Sequence, residues 1–197
     1  MFLSQNKKKK SVKFPKPDYK WIVMIFFVTL AISGTMSFIS SELLDGASVL
    51  TSFLILIGII LIGIIFDIIG VAVTTAEETP FHSMASKKVP EAAEALHLIR
   101  NANRVSSFCN DVIGDICGVI SGSASAVIAA RVLAGQSDNT LLDLLLSATV
   151  AALTVGGKAF GKTFAIGLST PIVQLTARVI TFFKQLFKKR PRRKTGV

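Results

Sequence analysis

The sequence has few of the residues that build soluble catalytic and metal sites. Of 197 residues, two are cysteine and two are histidine. Cys109 and Cys117 lie eight positions apart, which suits neither a disulfide within one helix nor a metal site, and His82 and His97 have no partner at metal-binding spacing. No nucleophile paired with a base and no phosphate-binding loop is present. These absences predict that the protein is not an enzyme and uses no organic cofactor.

Charge is scarce as well, and it is unevenly placed. Charged residues make up 17% of the chain, whereas hydrophobic residues make up 51%, and the mean hydropathy is +0.60. The net charge of +10 comes largely from the two ends, KKKKSVKFPKPDYK and KKRPRRK. This composition is typical of an integral membrane protein. Beside apolar spans, such basic tails are predicted to bind anionic lipids of the bilayer and not nucleic acid.

Four apolar segments are long enough to cross a hydrocarbon core, which takes about 20 helical residues. They predict an all-α, polytopic fold with membrane spans at 21–40, 49–74, 105–133 and 141–161. The first span follows a long charged lead and is interpreted as a retained anchor, since a signal peptide has a shorter apolar region. A fifth stretch, 164–187, is interrupted by Pro171 and polar residues, which predicts a kinked amphipathic helix in the membrane interface.

Basic residues predict the orientation, because cytoplasmic loops are enriched in Lys and Arg. The N-terminal tail is basic, residues 40–48 carry two acids and no base, and residues 77–104 contain four basic residues. Four crossings with both termini in the cytoplasm satisfy every loop. We therefore expect a multi-pass protein of the cell membrane with basic cytoplasmic tails at 1–20 and 188–197. Within the long inner loop, VPEAAEALHLIRNANR predicts an amphipathic helix.

Polar residues recur at helical spacing in three of the spans. The stripes consist of Gly63, Asp67, Gly70, Thr74 and Glu78 in the second span, of Asp111, Asp115, Gly118, Gly122 and Ser125 in the third, and of Ser147, Ala151, Thr154 and Lys158 in the fourth. Intervals of three and four place each set on one helix face. Small residues at this spacing also serve helix packing alone. Charged residues within a span are costly, so they indicate an ion pathway or an internal pair.

Oxygen-bearing side chains gather where the second span ends and the third begins. Glu77 and Glu78 precede Pro80, which removes a backbone donor and leaves carbonyl oxygens one turn back available as ligands. Such oxygens suit hard cations such as magnesium or sodium. Solvated carboxylates at the end of a span would fit the same residues. Lys158 either stays outside an ion site or pairs with a carboxylate, and Lys162 is expected to extend to the interface.

The order of the motifs from about residue 63 to 187 resembles the transmembrane domain of the CNNM/CorB (CorC-like, cyclin M) family of magnesium transporters. TAEETPFHSMASKKV is similar to an S-G-S-E-T-A-like pattern of that family, LIRNANR to an L-x-x-N-P-D-R-like pattern, IGDICG to a G-N-N-like motif and GKAFGK to G-E-x-x-P-K. Lys158 stands where the family has glutamate, and Gly161 where it has proline. An extra span and outer loop are predicted at 21–44, and the family-like domain is expected to lack the CBS regulatory domains.

The resemblance implies a family-like transmembrane domain over 45–187 that transports magnesium, with sodium-coupled export as one version, and that forms a homodimer. The predicted metal ligands, between the second and third spans, are Thr75, Glu78, Asn110 and Asp115. The predicted supporting polar groups are Asp67, Glu77, Asp111 and Lys158. The alternative is a non-transporting structural or accessory membrane protein, in which Lys158 neutralises the polar core and the cytoplasmic helices dock a further membrane or cytoplasmic partner.

Overall fold

The computed structural model describes residues 19–132 and 140–187, and the regular structure of these residues is helical throughout. In chain order the helices are α1 (Tyr19–Leu44), α2 (Val49–Thr75), α3 (Thr79–Ser86), α4 (Ala92–Arg100), α5 (Ala102–Ser106), a π-helix (Ser107–Gly114), α6 (Asp115–Val132), α7 (Thr140–Gly167) and α8 (Ser169–Phe187). The segments long and apolar enough to cross a membrane are Tyr19–Leu44, Val49–Thr75, Ala102–Val132 and Leu144–Gly167. The predicted all-α architecture with four spans is therefore confirmed. The predicted basic tails, apart from Tyr19 and Lys20, lie outside the described residues.

Helix α2 is the centre of the bundle. It is apolar around most of its circumference, as expected of a helix surrounded by other helices or lipid, and it packs against the π-helix, α6, α7 and α8. Ser48 caps its first turn, because the Ser48 hydroxyl accepts a hydrogen bond from the Thr51 backbone N–H at 3.2 Å. Helix α1 is peripheral, with Ser40 and Leu44 as its buried residues. Most of α1 therefore faces the surroundings of the bundle.

Three apolar clusters divide the bundle along its length. We call the end that carries α3, α4 and α8 the collar side, these three helices the collar, and the opposite end the turn side. The turn-side cluster contains Leu44, Leu56, Ala124, Ile128 and Val150. The middle cluster contains Ile59, Val112, Ile116, Cys117 and Ile120. The collar-side cluster contains Ala72, Val73, Phe81, Ala95, Leu98, Ala165, Val173 and Ala177. Burial of these side chains drives the association of the helices within the collar, whereas packing and polar contacts hold the spans together.

The last two helices differ from their predicted bounds. Helix α7 continues to Gly167, six residues beyond the predicted end of the fourth span, and α8 begins only at Ser169. Pro171 consequently lies in the first turn of α8, where a backbone N–H has no acceptor within the helix and its loss costs little. The predicted interruption of this stretch therefore lies at Leu168, between α7 and α8, and Pro171 follows it in the first turn of α8. The amphipathic character of this segment is confirmed, since buried Val173 and Ala177 face the collar and Phe182 and Phe183 are exposed.

The predicted inner-loop helix is divided, and a further helix precedes it. After α2 ends, Ala76 is extended, and the short helix α3 follows with Pro80 in its first turn. Helix α4 stops at Asn101, whose side-chain amide donates to the His97 carbonyl at 2.9 Å, and α5 continues from there. Two ion pairs join α4 to α8: Glu91 with Arg178 at 3.0 Å and Glu94 with Lys184 at 2.7 Å.

Candidate functional site

The polar side chains of the spans meet between α2, the π-helix, α6 and α7. We call the following six residues the polar layer: Asp67, Asn110, Gly114, Asp115, Lys158 and Lys162. Close approaches of Gly70 to Asn110 and of Gly63 to Cys117 show that α2 runs antiparallel to the π-helix and α6. Asp67 lies on α2 between the middle and collar-side clusters. The layer is therefore at the depth of the membrane spans and not at their ends.

Asp67 is the most deeply buried acidic side chain of the described residues, with 4% of the residue exposed. Its Oδ2 lies 3.9 Å from Lys162 Nζ, which is close enough for an ion pair and too long for a hydrogen bond. No donor within 19–132 or 140–187 reaches this oxygen. A buried carboxylate oxygen without a donor is costly, so packing alone does not account for an aspartate at this position.

Asn110 supplies a second buried oxygen without a donor in the part of the chain that the structure describes. Its Nδ2 donates to Ser106 Oγ at 3.1 Å, and its Oδ1 faces Gly70. A Cβ at Gly70 would overlap Asn110 Oδ1 and lie 2.8 Å from Asn110 Cγ, so any larger residue there forces the Asn110 side chain to move. Asp67 and Gly70, the α2 residue that Asn110 Oδ1 faces, are three residues apart on α2, which is a rise of about 4.5 Å along the helix axis. Ser52 Oγ is a third such atom, nearer the turn side.

Lys158 makes two polar contacts within the layer. Its ammonium donates to the Gly114 carbonyl at 3.0 Å and lies 3.7 Å from Asp115 Oδ1. A Cβ at Gly114 would lie 3.4 Å from Lys158 Nζ and 3.9 Å from Asp67 Oδ1, so both side chains approach the same side of Gly114. The sequence allowed Lys158 either to stay outside an ion site or to pair with a carboxylate, and in the structure it lies beside the carboxylate of Asp115. The Lys158 side chain is 20% exposed and that of Asp115 is 72% exposed.

A cavity of about 290 Å³ between α6 and α7 extends from Lys158 toward the turn side. Its lining includes Ser121, Ser125, Ser147 and Thr154. Three of these hydroxyls donate to carbonyls of their own helices: Ser121 to Gly118, Ser125 to Gly122 and Thr154 to Val150. All four residues of the polar stripe predicted for the fourth span line this cavity, as one helix face should.

The π-helix determines which residues of the third span face α2. Its i→i+5 hydrogen bonds add about one residue to each turn, so the face that α2 contacts is met by Asn110 and Gly114. The sequence pattern, read at the α-helical period, instead grouped Asp111 with Asp115. Both of these residues are exposed. This π-helix therefore places Asn110 on the face toward α2.

The predicted ligands are not brought to one point. The Thr75 hydroxyl donates to the Val71 carbonyl at 3.0 Å within its own helix, and Glu77 is exposed. Eight residues of α2 separate Asp67 from Thr75, a rise of about 12 Å, so Thr75 and Glu78 lie well toward the collar side of Asn110 and Asp115. Within the described ranges, no group of three or more His, Cys, Asp and Glu side chains is arranged to hold a metal ion.

Glu78 takes part in a collar contact instead. His82 Nε2 lies 3.1 Å from Glu78 Oε2, and the Arg100 guanidinium donates to the same oxygen at 3.4 Å. The hydrogen bond with His82, followed by that from Arg100, lowers the pKa of the Glu78 carboxyl below its ordinary value. Of the two interpretations of Glu78, a metal ligand or a carboxylate at the end of a span, these contacts fit the second.

This contact predicts a pH dependence of stability. Because the folded-state pKa of Glu78 is lowered from 4.5, its ionised form stabilises the fold above pH 4.5, and that stabilisation is lost as the pH falls through the lowered value. The difference in melting temperature between wild type and Glu78→Gln should shrink as the pH falls below 4.5 and through the lowered pKa of Glu78. Glu77→Gln is the matched control, since it removes an adjacent exposed carboxyl. An equal pH profile for both variants would contradict the prediction.

Two features of the layer were not foreseen from the sequence. Lys162 was expected to extend to the interface; half of its side chain is exposed, but its ammonium also pairs with Asp67. The contact of Asn110 with Gly70 depends on the π-helix, which no residue pattern announces. The pairing of Lys162 with Asp67 could have been predicted, because an acid and a base on two membrane spans tend to pair with each other.

The helices and the polar layer define a polytopic, all-helical membrane protein with ionisable groups inside its spans. Comparison of the chain with protein-family models, with curated proteins and with solved structures gives no match.

Proposed function

We propose that this protein carries a cation across a membrane and that the ion passes through the polar layer. The observation that carries the proposal is the pair of buried acceptor oxygens, Asp67 Oδ2 and Asn110 Oδ1, for which the described residues provide no donor. Charged groups inside spans are costly and typically mark ion pathways. Carboxylate and amide oxygens are also the ligands that hard cations prefer.

Magnesium is the substrate that the resemblance to the CNNM/CorB family implies, with sodium as a coupling ion in one version. Asp67 and Asp115 are the carboxylates near Gly114, and a divalent ion held by both would have its charge balanced. Lys158 would then have to leave Asp115, from which it is separated by 3.7 Å. The geometry therefore supports a cation pathway more directly than it supports magnesium as the ion.

Flux into liposomes tests this function. The purified full chain is reconstituted with a magnesium-sensitive dye inside the vesicles, and the measurement is repeated with sodium-sensitive dye. Asp67→Asn should lower the flux strongly, because loss of one charged ligand costs about 1.5–3 kcal/mol, about ten- to a hundredfold in affinity. Asp45→Asn is the control, since Asp45 is an exposed acid in the turn between α1 and α2. Wild-type flux no greater than that of protein-free vesicles would refute transport.

The alternative of a non-transporting structural or accessory protein has one observation in its favour. Lys158 already provides a positive charge to the Gly114 carbonyl and to Asp115. In that case no cation should raise the melting temperature of the wild type, and Lys158→Met should lower it by leaving Asp115 without its partner. The collar would then be the surface for a partner protein.

A further inference from the structure

We infer that the polar layer binds a monovalent cation at Asp67 and that the cation displaces Lys162 as the counter-ion of this carboxylate. The inference rests on the proposed function, because it names the class of ion that the layer takes. It concerns Asp67, Asn110 and Lys162, three residues that the predicted set of metal ligands did not place together.

The charges of the layer are balanced one to one. Lys158 lies 3.7 Å from Asp115, and Lys162 lies 3.9 Å from Asp67, so two ammonium groups face two carboxylates. When one lysine leaves, a single negative charge is uncovered. A monovalent cation restores neutrality at that point, whereas a divalent cation would leave one excess positive charge among apolar helices, where charge is costly.

The two lysines are held very differently. Lys158 donates to the Gly114 carbonyl at 3.0 Å, and its side chain is only 20% exposed. Lys162 has no such short contact with Asp67, its side chain is 52% exposed, and it lies one turn nearer the collar side on α7. A long aliphatic stem lets an ammonium group move toward the aqueous interface. Lys162 is therefore the counter-ion that leaves, and Lys158 stays on Asp115.

The oxygens favour a metal ion over a proton. Protonation of Asp67 would neutralise the carboxylate but would provide no partner for Asn110 Oδ1, which is buried without a donor among the described residues. A cation between α2 and the π-helix accounts for both acceptor oxygens, because Asp67 lies three residues from Gly70, which Asn110 Oδ1 faces. Carboxylate and amide oxygens are ligands of hard cations, so sodium is the monovalent cation to test first.

Thermal unfolding of the detergent-purified full chain tests the inference, in matched concentrations of sodium, potassium, choline and magnesium chloride. Lys162→Met leaves Asp67 without its counter-ion, so sodium should raise the melting temperature of this variant, and its apparent sodium affinity should exceed that of the wild type by about tenfold. Lys184→Met is the control, because Lys184 pairs with Glu94 in the collar. Its response to sodium should equal that of the wild type.

Three outcomes would overturn the inference. Equal melting of Lys162→Met in sodium and choline excludes a monovalent site, and stabilisation by acid alone identifies a proton. Stabilisation by magnesium but not sodium would show that the polar layer binds a divalent ion; this outcome contradicts the inference but agrees with the proposed transport of a cation. In the double variant Lys162→Met with Asp67→Asn, the sodium response should vanish. If Lys162→Met does not fold, Lys162→Gln replaces it. A sodium titration of wild type and of Asp67→Asn then tests the same site, because the sodium response should be lost in Asp67→Asn.

Discussion

Phe81→Ala is expected to lower the free energy of unfolding by about 3–5 kcal/mol, the range for truncating a fully buried phenylalanine. Phe81 has no exposed surface and belongs to the collar-side cluster, together with Ala95 of α4 and Val173 of α8. Removing the ring leaves a cavity where α3, α4 and α8 meet the ends of α2 and α7. The expected result is a collar that separates from the spans at lower denaturant concentration.

Chemical unfolding in detergent micelles, followed by circular dichroism, measures this effect. Phe38→Ala is the matched control, because Phe38 on α1 is 66% exposed and its truncation leaves no cavity in the bundle. A loss of stability in Phe38→Ala equal to that in Phe81→Ala would show that the collar-side cluster is not a packed core. The sequence placed Phe81 in a loop after the second span, so this test examines a feature that only the fold reveals.

Gly70→Leu is expected to separate α2 from the π-helix and to cost about 1–3 kcal/mol or more, as overpacking does in a close contact. Even a Cβ at this position overlaps Asn110 Oδ1 and lies 2.8 Å from Asn110 Cγ. Asn110 then loses its place beside α2, so any cation response of the wild type should be lost together with stability.

Gly58→Leu controls for the chemical change itself. Gly58 lies on the same helix, and a Cβ there would meet no atom within 4 Å. Both substitutions gain the higher helix propensity of leucine over glycine, about 0.8–1 kcal/mol, so the difference between them isolates the contact with Asn110. Melting temperatures of the two variants in detergent, with and without sodium, provide the measurement. Equal stability would mean that α2 and the π-helix do not approach as closely as described.

The fold was largely predictable from the sequence, because long apolar runs have few alternatives in a membrane. The stripe of the second span correctly placed Gly63, Asp67 and Gly70 on one buried face. It failed for Glu78, because α2 ends at Thr75 and Ala76 is extended, so the helical period no longer applies. Residue spacing predicts a shared face only within one continuous helix. No glycine directly follows Thr75 to indicate that α2 ends there.

The candidate site was predictable only in part. Asn110, Asp115 and Lys158 do lie within the polar layer, as do Asp67 and Lys162. The π-helix could not be foreseen, since its eight residues contain no proline, and it replaced Asp111 by Asn110 on the face toward α2. The resemblance to a transporter family directed attention to Glu78. Its contacts with His82 and Arg100 involve collar residues that no motif connected to it.

The exposure of Asp115 makes the surrounding medium part of the energetics of this protein. The Asp115 carboxylate is exposed at the depth of the spans and lies 3.7 Å from the largely buried Lys158 ammonium, so the dielectric around the pair depends on the surrounding lipid, detergent or water as well as on the protein interior. Attraction between two unit charges is about four times stronger at an effective dielectric constant of about 20 than in water. The same pair is thus held weakly in a wet micelle and firmly in a bilayer. The strength of the contact between Lys158 and Asp115 should therefore be measured in vesicles with a defined bilayer thickness.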